Sequence, residues 1–305
     1  MITKHTLNTV SIVCGARCNY SCANCFTGSD KIDTTLYDPD LEIILKTIHE
    51  MPKYIDIEPG GMITLIGGEP LLYMERLEML ASAVRKAYPD VIIRVFSNGH
   101  LLGRKIDQMV DIMKKYTVSM DISFHLSGDP NSKTGLAWRQ SIDKVATHPE
   151  INKINDMHYD IPNYPGCDFH IFTLANGLWR AQFKTTIDGK IKPFANGNPA
   201  RSAQFGCAPG IMCSFLFNNR LYKCGSLAML RPMLSARGQI EDPDWSKYLN
   251  YKSVDLLDFD QEKFDNFYET FGKPISECDM CNDTLAGTVR WEKRTESMVF
   301  DYRRK

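Results

Sequence analysis

The amino-acid sequence predicts an α/β protein built on a parallel sheet, wound as an open sheet or as a barrel. Short runs rich in β-branched residues alternate with helical periodicities through about the first 150 residues, and such alternation is typical of parallel sheets. The 305 residues are 43% hydrophobic and 24% charged, so the chain can bury a sizeable core. In both architectures, ligands bind at the carboxyl ends of the strands.

The predicted elements follow in a regular order. The helical period is clearest at Leu41, Ile44, Leu45 and Ile48, which are spaced i, i+3, i+4 and i+7. In chain order we predict a strand at 9–13, a helix around 41–48, a strand at 62–66, a helix around 77–84, a strand at 91–96, a helix at 106–113 and a strand at 118–124.

After Ile161 the sequence changes character, because prolines and a scatter of Asn and Gly interrupt any helical period. The run 167–174 is expected to complete the parallel sheet. Two stretches, 183–191 and 214–223, each predict a β-hairpin. Their turns are expected at Asp188-Gly189 and Asn218-Asn219.

The charge balance restricts the function classes. Lys plus Arg total 36 and Asp plus Glu total 37, a formal net charge of -1. This excludes the overall positive field of a general nucleic-acid binder. No apolar run approaches the roughly 18 residues of a membrane span, and the first residues lack the apolar stretch of a signal peptide. We therefore expect a cytoplasmic protein without a membrane partner.

Ten cysteines in a chain expected in the cytosol indicate metal binding rather than disulfides. Cys18, Cys22 and Cys25 form a CxxxCxxC motif directly after the first strand. Three thiolates on one tight loop can hold three corners of a cubane iron-sulfur cluster and leave the fourth iron open for a small molecule. Structural zinc is the alternative, but it normally closes four ligands from paired units. Cys14 ends the strand, and we interpret it as a small buried hydrophobe.

Three further motifs follow the next strands in order: Gly67-Gly68-Glu69-Pro70, Ser97-Asn98-Gly99 and Ser123-Phe124-His125. Together with the CxxxCxxC motif, they resemble the radical S-adenosylmethionine (SAM) superfamily over about residues 9–175. The resemblance implies a partial (β/α)6 barrel, assigned to residues 1–175, and a [4Fe-4S] cluster on the three cysteines. It also implies SAM bound to the open iron and cleaved reductively to a 5′-deoxyadenosyl radical, with an external electron donor such as flavodoxin or ferredoxin.

The same resemblance implies roles for single residues. Glu69 is expected to accept hydrogen bonds from the methionine amine. The position before Cys25 is commonly aromatic in this superfamily but is Asn24 here, so Phe26 or Tyr20 is expected to cover the adenine. The implied SAM-binding residues are Gly67, Gly68, Glu69, Pro70, Ser97, Asn98, Ser123 and Phe26.

The last third of the chain resembles the auxiliary-cluster modules of radical SAM enzymes called SPASM and Twitch, in which cysteines flanking a β-hairpin meet cysteines from a later loop. We assign this module to residues 176–305. Four thiolates would close a second [4Fe-4S] cluster, and five candidates fit the shorter, Twitch-like form. A four-cysteine zinc knuckle is the alternative. The candidate ligands are Cys207, Cys213, Cys224, Cys278 and Cys281.

A primary radical requires a dry substrate pocket beside SAM. The histidines and Asp160 could transfer protons there and Cys167 could donate a hydrogen atom, although a structural role is the alternative for each. The candidate pocket residues at the ends of the later strands are His125, His158, Asp160, Cys167, His170 and Arg180.

The leading hypothesis is an oxidoreductase or isomerase that dehydrogenates, isomerises or epimerises a small polar metabolite such as a sugar, aminocyclitol or nucleotide. Maturation of a ribosomal peptide is an alternative, but it usually requires an added peptide-binding domain. Modification of a nucleic-acid base is another, and the balanced charge counts against it. The ordered motifs disfavour a zinc-stabilised binding protein without catalytic activity.

Overall fold

The computed structural model describes residues 2–20, 25–27, 37–124, 133–173, 182–186, 188–206 and 213–283. Within these ranges the strands form a ten-stranded sheet and a small two-stranded sheet. In chain order they are β1 (His5–Val13), β2 (Ile55–Ile66), β3 (Ile92–Ser97), β4 (Val118–Phe124), β5 (Asn152–Asn155), β6 (His158–Asp160), β7 (Asp168–Thr173), β8 (Lys184–Thr185), β9 (Ile191–Lys192), β10 (Cys213–Phe217), β11 (Arg220–Tyr222) and β12 (Val254–Asp255).

The helices alternate with the strands in the first half of the chain, as predicted. Asp40 begins the first of them, because its side chain accepts a hydrogen bond from Ile43 N. The described helices are α1 (Leu41–Glu50), α2 (Met74–Ala87), α3 (Leu102–Tyr116), α4 (Lys133–Ala146), α5 (Pro199–Gly206), α6 (Gly225–Ala236), α7 (Ser246–Leu249) and α8 (Gln261–Thr270). None of these described helices is both long and apolar enough to cross a bilayer.

The main sheet is unclosed and has the order β12-β11-β10-β1-β2-β3-β4-β7-β6-β5. Its six neighbouring strands from β10 to β7 run parallel, which agrees with the predicted partial barrel. Antiparallel strands extend both edges, β11 and β12 on one side and β6 and β5 on the other. The carboxyl ends of β1 to β4 therefore lie side by side.

The two faces of the sheet differ in polarity. On one face, apolar residues such as Ile12, Leu65 and Ile122 pack with helices α1 to α4 in the main core. Successive residues of a strand point to opposite faces, so the other face carries the polar residues at alternate positions. We call it the polar face, and it comprises Ser11, Thr64, Arg94, Asp121 and His170.

Both predicted hairpins are present. β8 and β9 pair antiparallel around Asp188-Gly189, and β10 and β11 pair around Asn218-Asn219, where Asn218 has a φ of 54°. The strand predicted at 167–174 is β7, which runs parallel to β4.

The position of the second hairpin was not predicted, since β10 pairs parallel with β1 and extends the main sheet. This sheet therefore runs across the predicted boundary between 1–175 and 176–305. The division into two domains stays a prediction.

Candidate active site

The loops after β1 and β2 are packed backbone to backbone at the carboxyl ends of their strands. Gly68 N donates a hydrogen bond to Gly15 O at 2.9 Å, and Glu69 N donates to Arg17 O at 2.8 Å. The Gly-Gly-Glu-Pro loop is thereby fixed against the segment that leads directly into Cys18.

A side chain at either glycine of this loop would collide with that segment. A Cβ atom at Gly67 would lie 2.2 Å from Gly15 O, and one at Gly68 would lie 2.0 Å from Arg17 O. The family resemblance implies that both glycines bind SAM. The structure shows that they are already required for the contact between the two loops.

We expect Gly68→Ala to destabilise the protein by about 3 kcal/mol, because two backbone segments must separate to admit the methyl group. Thermal unfolding measures the change. Gly60→Ala is the matched control: its φ is 80° and nothing lies within 4 Å of its Cβ position, so it adds only the strain of a left-handed backbone, about 1–2 kcal/mol. Equal stability of the two variants would contradict the close approach.

Glu69 is fully buried, and its carboxylate accepts three hydrogen bonds. Oε1 accepts from Leu71 N at 3.0 Å and from Ser97 Oγ at 2.7 Å, and Oε2 accepts from Asn98 N at 2.8 Å. Burial raises the pKa of Glu69 to about 7, against the lowering effect of these hydrogen bonds. Glu69 therefore joins the loop after β2 to the loop after β3. A carboxylate has about four acceptor positions, so the described residues leave one of them, on Oε2, unused.

Two N–H groups lie near the sulfur of Cys18, the first residue of the CxxxCxxC motif. Tyr20 N lies 3.4 Å and Asn98 Nδ2 lies 3.7 Å from Cys18 Sγ. Hydrogen bonds to sulfur are one of the factors that set the reduction potential of an iron-sulfur cluster. Burial raises the pKa of the Cys18 thiol, and the charges of Glu69 and Cys25 raise it further. A cation beside the sulfur would favour the thiolate form.

Cys25, the last residue of the motif, is half-buried, and its Sγ lies 3.0 Å from Thr27 Oγ1. Cys22 lies outside the described residues. The donor set fits an iron-sulfur cluster, because soft sulfur ligands bind such clusters.

Sequence analysis missed a second set of contacts, which holds the segment before Cys18. Tyr73 OH donates to Asp38 Oδ1 at 2.7 Å and accepts from Arg17 N at 2.8 Å. Asp38 also accepts from Ala16 N at 2.6 Å. The only clue in the sequence is the position of Tyr73, shortly after the Gly-Gly-Glu-Pro motif, since no spacing rule links it to Asp38.

The other predicted SAM contacts lie in two places. Ser123 Oγ donates to Ser97 O at 3.2 Å, beside the joined loops. Phe26 packs edge-on against Phe215 of β10, with ring centroids 5.5 Å apart, and so lies next to the second hairpin. Tyr20, the alternative aromatic residue, is buried.

Three of the six predicted pocket residues meet at β6 and β7. His158 is paired in register with His170, and their ring centroids are 4.6 Å apart. Asp160 is paired with Asp168, which sequence analysis did not single out and which lies 3.3 Å from His170 Nε2. On the other side of His170, Nδ1 lies 3.4 Å from Asp121 Oδ1.

The remaining pocket candidates are not part of this group. Cys167 is buried in the main core, where its thiol donates to Met113 O at 3.1 Å, and burial raises its pKa. A hydrogen-atom donor must touch the substrate, so this position favours the structural alternative for Cys167. His125 and Arg180 lie outside the described residues.

Three of the five auxiliary-cluster candidates are described. Cys224, immediately before α6, and Cys281 both pack against a second hydrophobic cluster that includes Trp245. Cys281 N donates to Cys278 O at 3.3 Å, which places the CxxC pair on one turn. The structure therefore places Cys224 and Cys281 against the same hydrophobic cluster. Cys207 and the side chain of Cys213 lie outside the described part of the chain.

Comparison with known proteins identifies the N-terminal part of the chain. A sequence model described as "Radical SAM superfamily" matches residues 12–134. The crystal structure of BtrN in complex with AdoMet and 2-DOIA is similar with a TM-score of 0.50 and 13% identity, over 97% of this chain and 100% of that chain. Native anSMEcpe with bound AdoMet gives a TM-score of 0.40 and 12% identity, over 76% of this chain and 82% of that chain. No curated protein matches significantly in sequence.

The likeness to BtrN shows a shared fold, the unclosed α/β sheet. The superfamily match spans the cysteine loop, the Gly-Gly-Glu-Pro loop and the Ser-Asn-Gly loop, which hydrogen bonds join at one end of this sheet. Residues 12–134 therefore form a domain that matches the radical SAM superfamily, and this match indicates an enzyme.

Proposed function

We propose that this enzyme holds a [4Fe-4S] cluster on Cys18, Cys22 and Cys25, binds SAM beside it, and acts on a small polar metabolite such as a sugar, aminocyclitol or nucleotide. When bound and reduced by an external donor such as flavodoxin or ferredoxin, the cluster and SAM supply a 5′-deoxyadenosyl radical, which removes a hydrogen atom from the substrate. Dehydrogenation, isomerisation and epimerisation are the reaction classes that follow.

The proposed class of substrate follows from the charged residues of the polar face. Asp121 lies on β4 two residues before Ser123, about 7 Å along the strand from the joined loops. Its Oδ2 is 3.3 Å from Arg94 Nη1, and the Asp121 side chain is only 8% exposed. Burial raises the pKa of Asp121, while Arg94 and His170 lower it. Charges of this kind suit hydroxyl or amino groups of a ligand, whereas an apolar substrate would remove them further from water without adding a hydrogen bond.

The fold likeness supports the same arrangement. BtrN, which shares the fold, binds AdoMet together with 2-DOIA. We infer that SAM lies at the joined loops of this chain and that a second molecule lies on the adjoining polar face. Asp121 would then orient the substrate, while Arg94 would hold Asp121.

Glu69 has a double role in this proposal. Three of its acceptor positions fix the loops after β2 and β3, and the fourth, on Oε2, which no described residue uses, would bind the methionine amine. Ser97, Asn98 and Ser123 would lie near the carboxylate and ribose of SAM.

We expect Glu69→Ala to weaken SAM binding by about 1.5–3 kcal/mol, or roughly 10- to 150-fold, without removing the cluster, because it deletes a charge-assisted hydrogen bond rather than an iron ligand. Calorimetry on the reconstituted enzyme measures the affinity. Glu75→Ala, an exposed carboxylate in the first turn of α2, is the control and should bind SAM as the wild type does. Unchanged SAM affinity in Glu69→Ala would leave the Gly-Gly-Glu-Pro loop a purely structural turn.

We further propose that residues 176–305 hold an auxiliary [4Fe-4S] cluster in a Twitch-like module. Cys224, Cys278 and Cys281 would supply three ligands, and Cys207 or Cys213 the fourth. The position of Cys224 and Cys281 on one hydrophobic cluster supports their convergence. The auxiliary [4Fe-4S] cluster would accept an electron from the substrate or complete the substrate pocket.

The substrate is tested by anaerobic reconstitution with SAM and dithionite, followed by mass spectrometry of a treated cell extract. We expect a small polar metabolite to be consumed by the wild type and not by a variant with Cys18, Cys22 and Cys25 all changed to Ala. Modification of a peptide or of a nucleic acid instead would contradict the proposed substrate class.

A further inference from the structure

A second group of ligand-type side chains lies on β6 and β7. His158 Nε2 lies 3.6 Å and His170 Nε2 lies 3.3 Å from Asp168 Oδ2. Ligand atoms of all three residues lie within 4.8 Å of one another. We propose that His158, Asp168 and His170 bind a first-row divalent metal ion, for which Zn²⁺ is the probe.

The donor set and its spacing suit such an ion. Two imidazoles and one carboxylate are the ligands of open zinc sites and of 2-His-1-carboxylate iron sites. Tetrahedral zinc with Zn–N and Zn–O distances of about 2.0–2.1 Å holds its ligand atoms about 3.3 Å apart. The two distances to Asp168 are already close to that value. The ion would also join β6 to β7 through their side chains.

Asp121 orients His170, one of the three proposed metal ligands. His170 Nδ1 lies 3.4 Å from Asp121 Oδ1, and Asp121 in turn faces Arg94 at 3.3 Å. A carboxylate on the far ring nitrogen fixes the tautomer that leaves Nε2 free for the metal, as is usual for metal-binding histidines. Asp121 is therefore a positioning residue for this site.

The local charges favour a cation. Asp160 and Asp168 are paired side by side on adjacent strands, and in the described ranges no lysine or arginine pairs with either carboxylate. His158 Nε2 and the Oδ1 atoms of Asp160 and Asp168 are buried without a hydrogen-bond partner among those residues. Two neighbouring carboxylates repel each other, and a divalent ion between the imidazoles and Asp168 would offset that repulsion.

The proposed site is separate from the SAM loops. Ser97 is in register with Ile122, and Ile122 with Ile171. Asp168 lies three residues before Ile171 on β7, about 10 Å along the strand. No cysteine is among its ligands, so zinc binding there can be measured apart from either iron-sulfur cluster. His170 and its partner Asp121 also belong to the polar face on which we place the substrate.

The test adds one equivalent of Zn²⁺ to the holoenzyme with its iron sites loaded, and records zinc-edge X-ray absorption and affinity by competition with a chelating dye. We expect one zinc per chain with nitrogen and oxygen ligands at about 2.0–2.1 Å and no sulfur at about 2.3 Å. Asp168→Asn, which keeps the side-chain shape, and His158→Ala should each abolish this stoichiometric binding. Asp121→Asn should lower the affinity about 10- to 100-fold.

His148→Ala is the matched control, because His148 also faces an aspartate, Asp107 at 3.1 Å, but in another part of the fold; it should bind zinc as the wild type does. Two results would overturn the proposal: zinc that is bound through sulfur, or nitrogen and oxygen coordination that persists in both Asp168→Asn and His158→Ala. Iron content and circular dichroism of Asp168→Asn establish that a loss of zinc is not a loss of fold.

Discussion

Changing Cys18, Cys22 and Cys25 together to Ala should lower the iron content of the reconstituted protein from about eight to about four per chain and remove all SAM cleavage. The reason is that three thiolates hold one cubane and a separate four-cysteine site holds the other. Iron analysis and quantification of 5′-deoxyadenosine by mass spectrometry measure the two effects.

Cys14→Ala is the control for this triple variant. Cys14 lies just before the cysteine loop, but it is buried in the main core, and burial raises the pKa of its thiol to about 12. We expect Cys14→Ala to keep about eight irons, as two cubanes require. Formation of 5′-deoxyadenosine by the triple variant would show that the radical site has been placed on the wrong cysteines.

The second large effect concerns the auxiliary cluster. We expect that one of the variants Cys207→Ala and Cys213→Ala keeps a four-cysteine cluster and that the other loses it, because Cys224, Cys278 and Cys281 need only one further ligand. Iron content and Mössbauer spectra distinguish the two outcomes. The remaining upstream cysteine is expected to be a free thiol or to lie at a partly open iron.

Cys167→Ala is a suitable control for this pair. The Cys167 thiol donates a hydrogen bond to Met113 O in the main core, so its removal should not affect iron binding. If both Cys207→Ala and Cys213→Ala keep two full cubanes, or if the module binds zinc, the Twitch-like assignment fails. The electron-accepting role proposed for the module would then have to be withdrawn.

Local periodicity was sufficient to predict the parallel strands and both hairpins. The short runs rich in β-branched residues in β1 to β4 and the turn pairs Asp188-Gly189 and Asn218-Asn219 depend on neighbouring residues only. The pairing of β10 with β1 joins residues about 200 positions apart, such as Thr9 and Cys213. Strand pairing at that separation leaves no periodic signal, so the edge of the sheet could not be predicted.

The candidate site, too, could be predicted only as far as neighbouring residues in the sequence define it. The motifs identified Glu69, Ser97 and Asn98, but the three hydrogen bonds by which Glu69 joins two loops follow from burial and tertiary contact. Asp168 was overlooked because one aspartate at the start of a predicted strand has no distinguishing pattern. Only the antiparallel register of β6 and β7 places it beside His158 and His170.

Reductive cleavage of SAM by the wild-type protein is the most direct test of the assignment. The protein is reconstituted anaerobically with iron and sulfide, reduced with dithionite and incubated with SAM, and 5′-deoxyadenosine and methionine are quantified. We predict that both are formed, that neither appears without dithionite, and that the triple variant at Cys18, Cys22 and Cys25 forms neither. A wild-type protein that carries its full iron complement and yet leaves SAM intact would contradict the assignment of the joined loops as a radical SAM site.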